Sequence, residues 1–234
     1  ILWLPEGHDG DVLNALLDRC RELGVSLLTD HRVTAVHKDG ETFRIEHNQG
    51  MTTAKAVVLA TGGRSLPRSG SDGFGWEIAK SLGHSVTATY PALVPLVLQN
   101  TYFHGELSGL SLDVTLSTFA DGKRIDQRTG SLLWTHFGIS GPVVMDASRH
   151  FVIAAAESRS PKLVCNLMPG RTFDDMDREL TDASQMYGKR IVQQWVARFF
   201  PQRMAGAIVQ HAGITPHDMF NQLSRDCRRA LAHT

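Results

Sequence analysis

The chain has 234 residues, and its 24 basic and 24 acidic side chains give a formal net charge of zero at pH 7. That length allows one large domain or two smaller ones, and the balanced charge provides no overall attraction to nucleic acid or to an anionic membrane. The longest apolar runs, such as Ala56 to Ala60, are too short to cross a bilayer. The composition therefore predicts a soluble, cytoplasmic protein.

The potential metal ligands and thiols are scattered along the chain. Cys20, Cys165 and Cys227 include no Cys-x-x-Cys pair, and the 11 histidines include no His-x-His or His-Glu-x-x-His arrangement. A disulfide framework needs more cysteines in a shorter chain, and a structural metal needs clustered ligands. We therefore predict no disulfides and no metal.

The chain begins at Ile1 rather than Met, and its first residues have no basic region followed by an apolar core. We expect a chain that was processed, excised or trimmed, and that carries no signal peptide.

The first elements are typical of part of an α/β domain. Apolar residues at helical spacing predict a helix up to Leu23, with Gly24 as its left-handed stop, and residues 25–28 predict a short buried strand. Alternating apolar and polar residues between 32 and 53 predict a three-stranded antiparallel meander. The apolar run Ala56 to Ala60 predicts a strand covered on both faces in a parallel sheet. A further helix is predicted from about residue 73 to Leu82.

The pattern changes after the proline-bounded segment 91–96, which predicts an extended crossover between domains. Strands are predicted at 112–119, 123–126, 131–134 and 163–167, and a short helix follows Gly141-Pro142. Three helices are predicted at 173–187, 191–212 and 216–232. These elements indicate a first domain at residues 1–88 and a second at 89–234, which is β-rich to about residue 140 and then mainly helical.

Five stretches in this order resemble the YhiN-like and BaiN-like (aminoacetone oxidase-type) family of bacterial NAD(P)/FAD-dependent oxidoreductases. They run over nearly the whole chain, and the most distinctive is Thr135-His-Phe-Gly-Ile-Ser-Gly-Pro142. The other four are Ala60-Thr-Gly-Gly-Arg-Ser-Leu-Pro67, Gly70-Ser-Asp-Gly73, Pro91-Ala-Leu-Val-Pro-Leu96 and Leu107-Ser-Gly-Leu110.

The resemblance implies a discontinuous FAD domain interrupted by an insert domain. Residues 1–88 are then a partial FAD-binding Rossmann-like domain with a β-meander, and 89–234 are the insert that shapes the substrate pocket, giving an α/β (α+β) fold class. In the family, a Gly-x-Gly-x-x-Gly segment precedes this region and a glycine-rich segment returns to the flavin after it. Neither is found in this sequence. The resemblance thus implies an internal piece of a flavoenzyme, which by itself retains FAD weakly or not at all and is inactive.

The resemblance also assigns candidate cofactor-binding residues. Ala60, Thr61, Gly62 and Gly63 would lie beside the FAD pyrophosphate, and the Val33 backbone would contact the adenine. On spacing alone, residues 61–63 fit a plain turn at a strand end equally well, and Val33 fits an ordinary core strand.

Further residues have both a functional and a structural interpretation. His136 could donate a hydrogen bond to substrate or flavin, or act as an acid or base, whereas a structural histidine would be buried and would order its loop. Arg64 and Arg68 could meet an anionic substrate or the pyrophosphate, or form surface ion pairs. The basic C-terminal helices are more typical of a solvated face than of a nucleic-acid patch.

The sequence therefore predicts part of an oxidoreductase that passes hydride through FAD, from NAD(P)H or an oxidisable small molecule to a second substrate. No catalytic side chain other than His136 is a candidate. One alternative is a non-enzymatic module that binds a protein or nucleic acid, and another is a dehydrogenase that uses nicotinamide alone. The substrate and the oligomeric state are not encoded in any recognisable motif.

Overall fold

The computed structural model describes residues 9–99 and 103–234. It divides the chain into two compact units, residues 1–88 (unit 1) and 89–234 (unit 2). The opening residues, where we expect no signal peptide, lie outside the described ranges. Across the described ranges, no helix is both long enough and apolar enough to cross a membrane.

Unit 1 consists of two helices and an antiparallel meander. Helix α1 covers Asp9–Glu22, and the strands are β1 (Val33–Asp39), β2 (Thr42–His47) and β3 (Gly50–Ala54). The strands pair in the order β1-β2-β3, which confirms the predicted meander. Helix α2 covers Phe74–Ser81, preceded by a short 3₁₀ helix at Pro67–Ser69. As predicted, Gly24 ends α1 in the left-handed conformation, at a φ of 67°.

The strands predicted at 25–28 and 56–60 do not form, and these predictions were wrong. Both segments lack regular secondary structure, and Val58 is 87% exposed. A strand in a parallel sheet needs a neighbour to take up its backbone N–H and C=O groups. No strand in the described part of the chain pairs with either segment. Local hairpin partners were present for β1, β2 and β3, and those strands formed.

Unit 2 contains a five-stranded antiparallel sheet with the order β4-β7-β6-β5-β8. Its strands are β4 (Leu96–Val97), β5 (Ser111–Ala120), β6 (Lys123–Thr135), β7 (Gly138–Ser140) and β8 (Pro161–Asn166). The two strands predicted at 123–126 and 131–134 are a single β6, because β5 pairs with it from Lys123 to Leu133 and so bridges the gap between the two predictions.

Five helices complete unit 2. They are α3 (Pro142–Ala156), α4 (Phe173–Met186), α5 (Val192–Val196), α6 (Gln202–His211) and α7 (Arg225–His233), with 3₁₀ helices at Phe103–Gly105 and Phe220–Gln222. The predicted helix 191–212 is interrupted at Pro201, which has no N–H to donate within a helix. The predicted helix 216–232 begins only after Ser224, whose side chain caps the Cys227 N–H at 3.1 Å.

One apolar core joins the sheet of unit 2 to its helices. Buried residues from β5 and β6, such as Leu116 and Leu132, belong to the same cluster as Val144 of α3, Leu180 of α4 and Trp195 of α5. The whole chain thus has the mixed α/β fold class that the sequence predicted.

Candidate functional site

The loop after residue 60 packs directly onto the start of helix α2. A Cβ added to Gly75 would overlap the Thr61 side chain, and one added to Gly62 would lie 2.6 Å from the Ser71 hydroxyl. Gly62 also has a φ of 70°, in the left-handed region that favours glycine. The loop and the helix start therefore form one compact structure, which we call the glycine cluster (residues 61–64 and 71–76).

One arginine and a tryptophan frame this cluster, and a second arginine, Arg68, lies in the short helix Pro67–Ser69. The Arg64 guanidinium lies 5.0 Å from the centre of the Trp76 ring, and its side chain occupies the space that a Cβ on Gly73 would need. Arg68 has no ion-pair partner among the residues that the structure describes. Thr61 and Gly62 are exposed, and the start of helix α2 is already capped by the Asp72 carboxylate. The cluster therefore offers an exposed loop with one glycine of positive φ, next to the Arg64 guanidinium.

An ion pair ties the meander to this cluster. Arg32, next to the first residue of β1, donates a hydrogen bond of 2.6 Å to the Asp72 carboxylate and lies over the Phe74 ring at 5.6 Å. The Phe74 N–H donates to the same carboxylate at 3.0 Å. The hydrogen bond from Arg32, followed by that from the Phe74 backbone, lowers the pKa of Asp72 below its ordinary value. Asp72 is thus a carboxylate at neutral pH.

This ion pair sets where Val33 lies. Val33 opens β1, the edge strand of the meander, and is half-buried. The Arg32 N–H donates to the Asn48 side chain at 2.9 Å, which anchors the strand start to the turn between β2 and β3. Because β1 pairs on one side only, its other backbone edge has groups available to a ligand. Ala60 is exposed and begins the loop, but no contact with Val33 is recorded for it.

The sequence reasoning missed the importance of Arg32 and Asp72. The sequence pattern predicts a helix just after Asp72 and a strand that begins near Arg32, and assigns neither side chain a role. The two residues are 40 positions apart, so no local pattern connects them. An acidic residue just before a helix, with an arginine just before a strand, is the only signal that the sequence offered.

The segment Thr135–Pro142 in unit 2 is shaped by packing. The Thr135 hydroxyl accepts a hydrogen bond from the Gly138 N–H at 3.1 Å, which closes the turn between β6 and β7. A Cβ on Gly138 would overlap the Leu96 carbonyl of β4. A Cβ on Gly141 would lie 2.8 Å from both the Leu133 nitrogen and the Ser131 carbonyl of β6. The two glycines therefore permit close strand contacts.

His136 lies at the exposed tip of this turn. Its ring meets that of Phe137 edge to face, with the ring centres 5.0 Å apart. The interpretation of His136 as a buried histidine that orders a loop is therefore wrong, because a two-residue hairpin turn projects its side chains outward. Its catalytic role stays a prediction.

A second group of charges joins β6 to α3 in unit 2. The Arg128 guanidinium donates to Asp126 at 2.7 Å and also to Asp146, and it lies 3.3 Å from the His150 ring nitrogen. The bond with Asp126, the largest cause, raises the pKa of Arg128. All of these groups are committed to one another, so the group fastens the helix to the sheet. Among the described residues, no set of three or more His, Cys, Asp and Glu side chains could hold a metal ion.

Comparisons with known proteins bear on both units. The model of a family described as "HI0933-like protein barrel and H2TH domain" matches residues 90–234. The chain is also 26% identical over 229 residues to a ribosomal RNA dihydrouridine synthase of Haemophilus influenzae, with 96% of this chain and 53% of that protein covered.

Two further relatives are similar over comparable lengths. One is a 3-dehydro-bile acid delta(4,6)-reductase of Clostridium scindens, 26% identical over 228 residues, with 94% of this chain and 56% of that protein covered. The other is a ribosomal RNA dihydrouridine synthase of Escherichia coli, 28% identical over 224 residues, with 95% and 53% covered. The chain thus spans about half the length of the curated relatives it matches.

Proposed function

The chain belongs to the HI0933-like family, and from that membership we propose that it forms part of an FAD-dependent oxidoreductase. The names of its relatives support this class: one is a reductase, and two make dihydrouridine, which carries two more hydrogens than uridine. The residues that resemble YhiN-like and BaiN-like oxidoreductases support the same class.

The observation that carries the proposal is the glycine cluster beside the open edge of β1. Gly62 has no side chain, adopts a positive φ and leaves its backbone exposed at the end of an apolar segment. A dinucleotide pyrophosphate needs such close backbone approach, together with nearby positive charge. Arg64, whose guanidinium lies over the Trp76 ring, supplies that charge. The residues present therefore fit the pyrophosphate and adenosine side of FAD.

Each part of the cluster has a defined task in this proposal. The backbone at Thr61, Gly62 and Gly63 would hold the pyrophosphate, and the free edge of β1 at Val33 would contact the adenine. The ion pair between Arg32 and Asp72 would keep these two surfaces at a fixed distance. When bound, FAD supplies hydride transfer between NAD(P)H or an oxidisable substrate and a second substrate.

We propose an unsaturated carbonyl compound as the second substrate. A delta(4,6)-reductase, by its name, acts on ring double bonds, and the step from uridine to dihydrouridine saturates one carbon–carbon double bond. In a 3-dehydro bile acid and in uridine, the bond concerned is conjugated to a carbonyl. Saturation of such a bond would take a hydride from the reduced flavin at the β carbon and a proton, from water or a general acid, at the α carbon. It requires no covalent intermediate with a protein nucleophile.

The test is FAD binding, measured by visible absorption and by titration. We expect a form of this chain as long as its relatives to show flavin absorption bands, and Gly62→Val to weaken FAD binding at least tenfold by blocking the backbone. Gly50→Val is the matched control, because Gly50 also has a positive φ but lies in open space. A colourless long form that does not bind FAD would refute the proposal. Tight stoichiometric binding by residues 1–234 alone would refute the weak retention that we predict for them.

A second candidate substrate is a uridine within ribosomal RNA, which two relatives act on by name. Lys189 and Arg225 of unit 2 have no ion-pair partner among the described residues, so their charges are available to phosphates. If RNA is the substrate, binding of a ribosomal RNA fragment should weaken steeply as salt rises. The slope of the logarithm of the binding constant against the logarithm of the salt concentration should become shallower by about two in the double variant Lys189→Ala and Arg225→Ala. Our sequence prediction of no nucleic-acid partner holds if filter binding finds no RNA retained at physiological salt.

A further inference from the structure

A cavity of about 250 Å³ lies among the helices of unit 2. It is enclosed by the end of β8 and by α4, α5, α6 and α7. Four aromatic side chains line it, and two methionine thioethers add a soft, adaptable surface. These six residues are Phe173, Trp195, Phe199, Phe200, Met168 and Met176.

The size of this cavity exceeds what packing defects produce. Protein cores contain few voids larger than a water molecule, and an engineered cavity of about 150 Å³ is enough to bind benzene. Phe173, Phe199 and Phe200 are only half-buried, so the cavity can be reached from solvent. Small-molecule sites typically have about 300–1,000 Å³. The volume here therefore suits a ligand of one or two rings.

The polar side chains of the lining are already bonded within the protein. Asn166 donates to the Arg171 carbonyl and accepts from the Met168 N–H, each at 2.9 Å. The Arg171 guanidinium is paired with Glu179, and the Thr172 hydroxyl donates to Asp175 at 2.6 Å. No charged group of this set is left to pair with a charge on a ligand.

The thiol of the lining is also uncharged. Burial raises the pKa of the Cys165 thiol to about 12, so it stays protonated at neutral pH and behaves as a small apolar group. His233 is the exposed exception: its ring meets the edge of Phe173, with the ring centres 6.3 Å apart, at the mouth of the cavity. The Arg229 guanidinium lies over the same Phe173 ring, 5.1 Å from its centre. Two polar groups on Phe173 and an apolar interior define the ligand that fits.

We propose that this cavity binds a neutral, apolar molecule of one or two rings, with at most one hydrogen-bonding group facing His233. The lining accepts such a ligand without breaking any internal hydrogen bond. A charge placed among the buried aromatic rings would have to be desolvated without a counter-charge there, because the Arg229 guanidinium lies at the exposed Phe173 end. This site belongs to unit 2 alone and does not depend on the flavin proposal.

Naphthalene is the direct probe, and ¹³C-methyl methionine NMR is the readout. We expect saturable shifts of the Met168 and Met176 methyl signals and no shift of Met51, which lies in unit 1 and is exposed. The charged analogue 2-naphthoate should bind at least tenfold more weakly. Absence of saturable shifts, or equal affinity for both probes, would overturn the proposal.

Two variants locate the ligand. Ala232→Leu adds volume at the lining and should weaken naphthalene binding at least tenfold, while Ala156→Leu, on the exposed end of α3, should leave it unchanged. Equal binding by a folded Ala232→Leu protein would overturn the assignment. If Ala232→Leu fails to fold, the comparison of the two probes on the unmodified chain still decides.

The same spectra identify other occupants. Shifts of Met168 and Met176 that depend on protein concentration without naphthalene would show that a second copy fills the cavity. If a longer natural form of the chain no longer responds to naphthalene, its own residues fill the cavity. Either result would overturn a small-molecule site.

Discussion

The two units differ in how far they bury their apolar residues. In the described part of unit 1, Val36 and Ile78 are the only buried hydrophobic residues, and the apolar stripe of α1 remains exposed. In unit 2, buried residues from sheet and helices form one continuous cluster. The sheet of unit 1 is formed by strands that are neighbours in the chain, whereas the strands and helices of unit 2 pack against one another. The contrast shows that an apolar pattern determines structure only where a partner is available.

The largest effect that would test this contrast is expected at a glycine of unit 2. Gly141→Ala places a Cβ 2.8 Å from β6 at a φ of 94°. We expect it to lower the free energy of unfolding by about 3 kcal/mol or more, because rigid backbone atoms must move. Urea denaturation followed by tryptophan fluorescence measures this loss.

Gly213→Ala is the matched control, since Gly213 has a φ of 75° but no neighbour within 4 Å. It should cost only about 1 kcal/mol, the strain of the left-handed conformation. Equal losses for the two variants would show that backbone strain, and not the close approach of β7 and β6, makes Gly141 necessary.

An intermediate effect compares the same substitution in the two units. Leu180→Ala removes a side chain that is 1% exposed in unit 2 and should cost about 2–5 kcal/mol. Leu16→Ala removes one that is 62% exposed on α1 and should change stability by less than about 0.5 kcal/mol. Both are measured by urea denaturation. A large loss for Leu16→Ala would break the contrast, because it would mean that another surface covers α1.

The smallest effect concerns the pH dependence of the tie between Arg32 and Asp72. The pKa of Asp72 is lowered in the folded chain, mainly by Arg32, so its contribution is present above its ordinary value of 3.8 and is lost as pH falls through the folded value. The difference in unfolding free energy between the unmodified chain and Asp72→Asn should therefore be constant from about pH 5 to 8 and shrink below about pH 4.

Asp39→Asn serves as the control for that series, since its side chain has no ion-pair partner among the described residues. A difference between the unmodified chain and Asp72→Asn that grows towards low pH would contradict the assignment of Asp72 as a carboxylate held by Arg32.

The sequence predicted elements whose partners are close in the chain. The meander, the hairpin of β5 and β6 and the helix stop at Gly24 all depend on neighbours within about twenty residues, and all were confirmed. The strands at 25–28 and 56–60 depend on partners elsewhere, so their apolar pattern alone was misleading. Pro201 shows the reverse case, in which a local signal for a helix break was present but outweighed by the apolar pattern around it.

The candidate site was predictable to a similar extent. Gly62 and Gly63 stood out because their position after an apolar run has a physical meaning, and Thr135–Pro142 because of its resemblance to a family. The contact between Arg32 and Asp72 and the cavity around Trp195 are products of tertiary packing. No sequence pattern distinguishes Trp195 and Phe199 from ordinary core residues, because a residue type does not reveal whether its neighbours fill the space beside it.

The apolar segment Ala56 to Ala60 has a practical consequence for handling the protein. Its residues have no regular secondary structure, and short β-prone stretches without charge are the usual starting points of aggregation. Lys55 and Arg64 flank it and act as gatekeepers, because their charges oppose the stacking of copies. Shelf life and expression yield should therefore be sensitive to ionic strength and to neutralisation of Lys55.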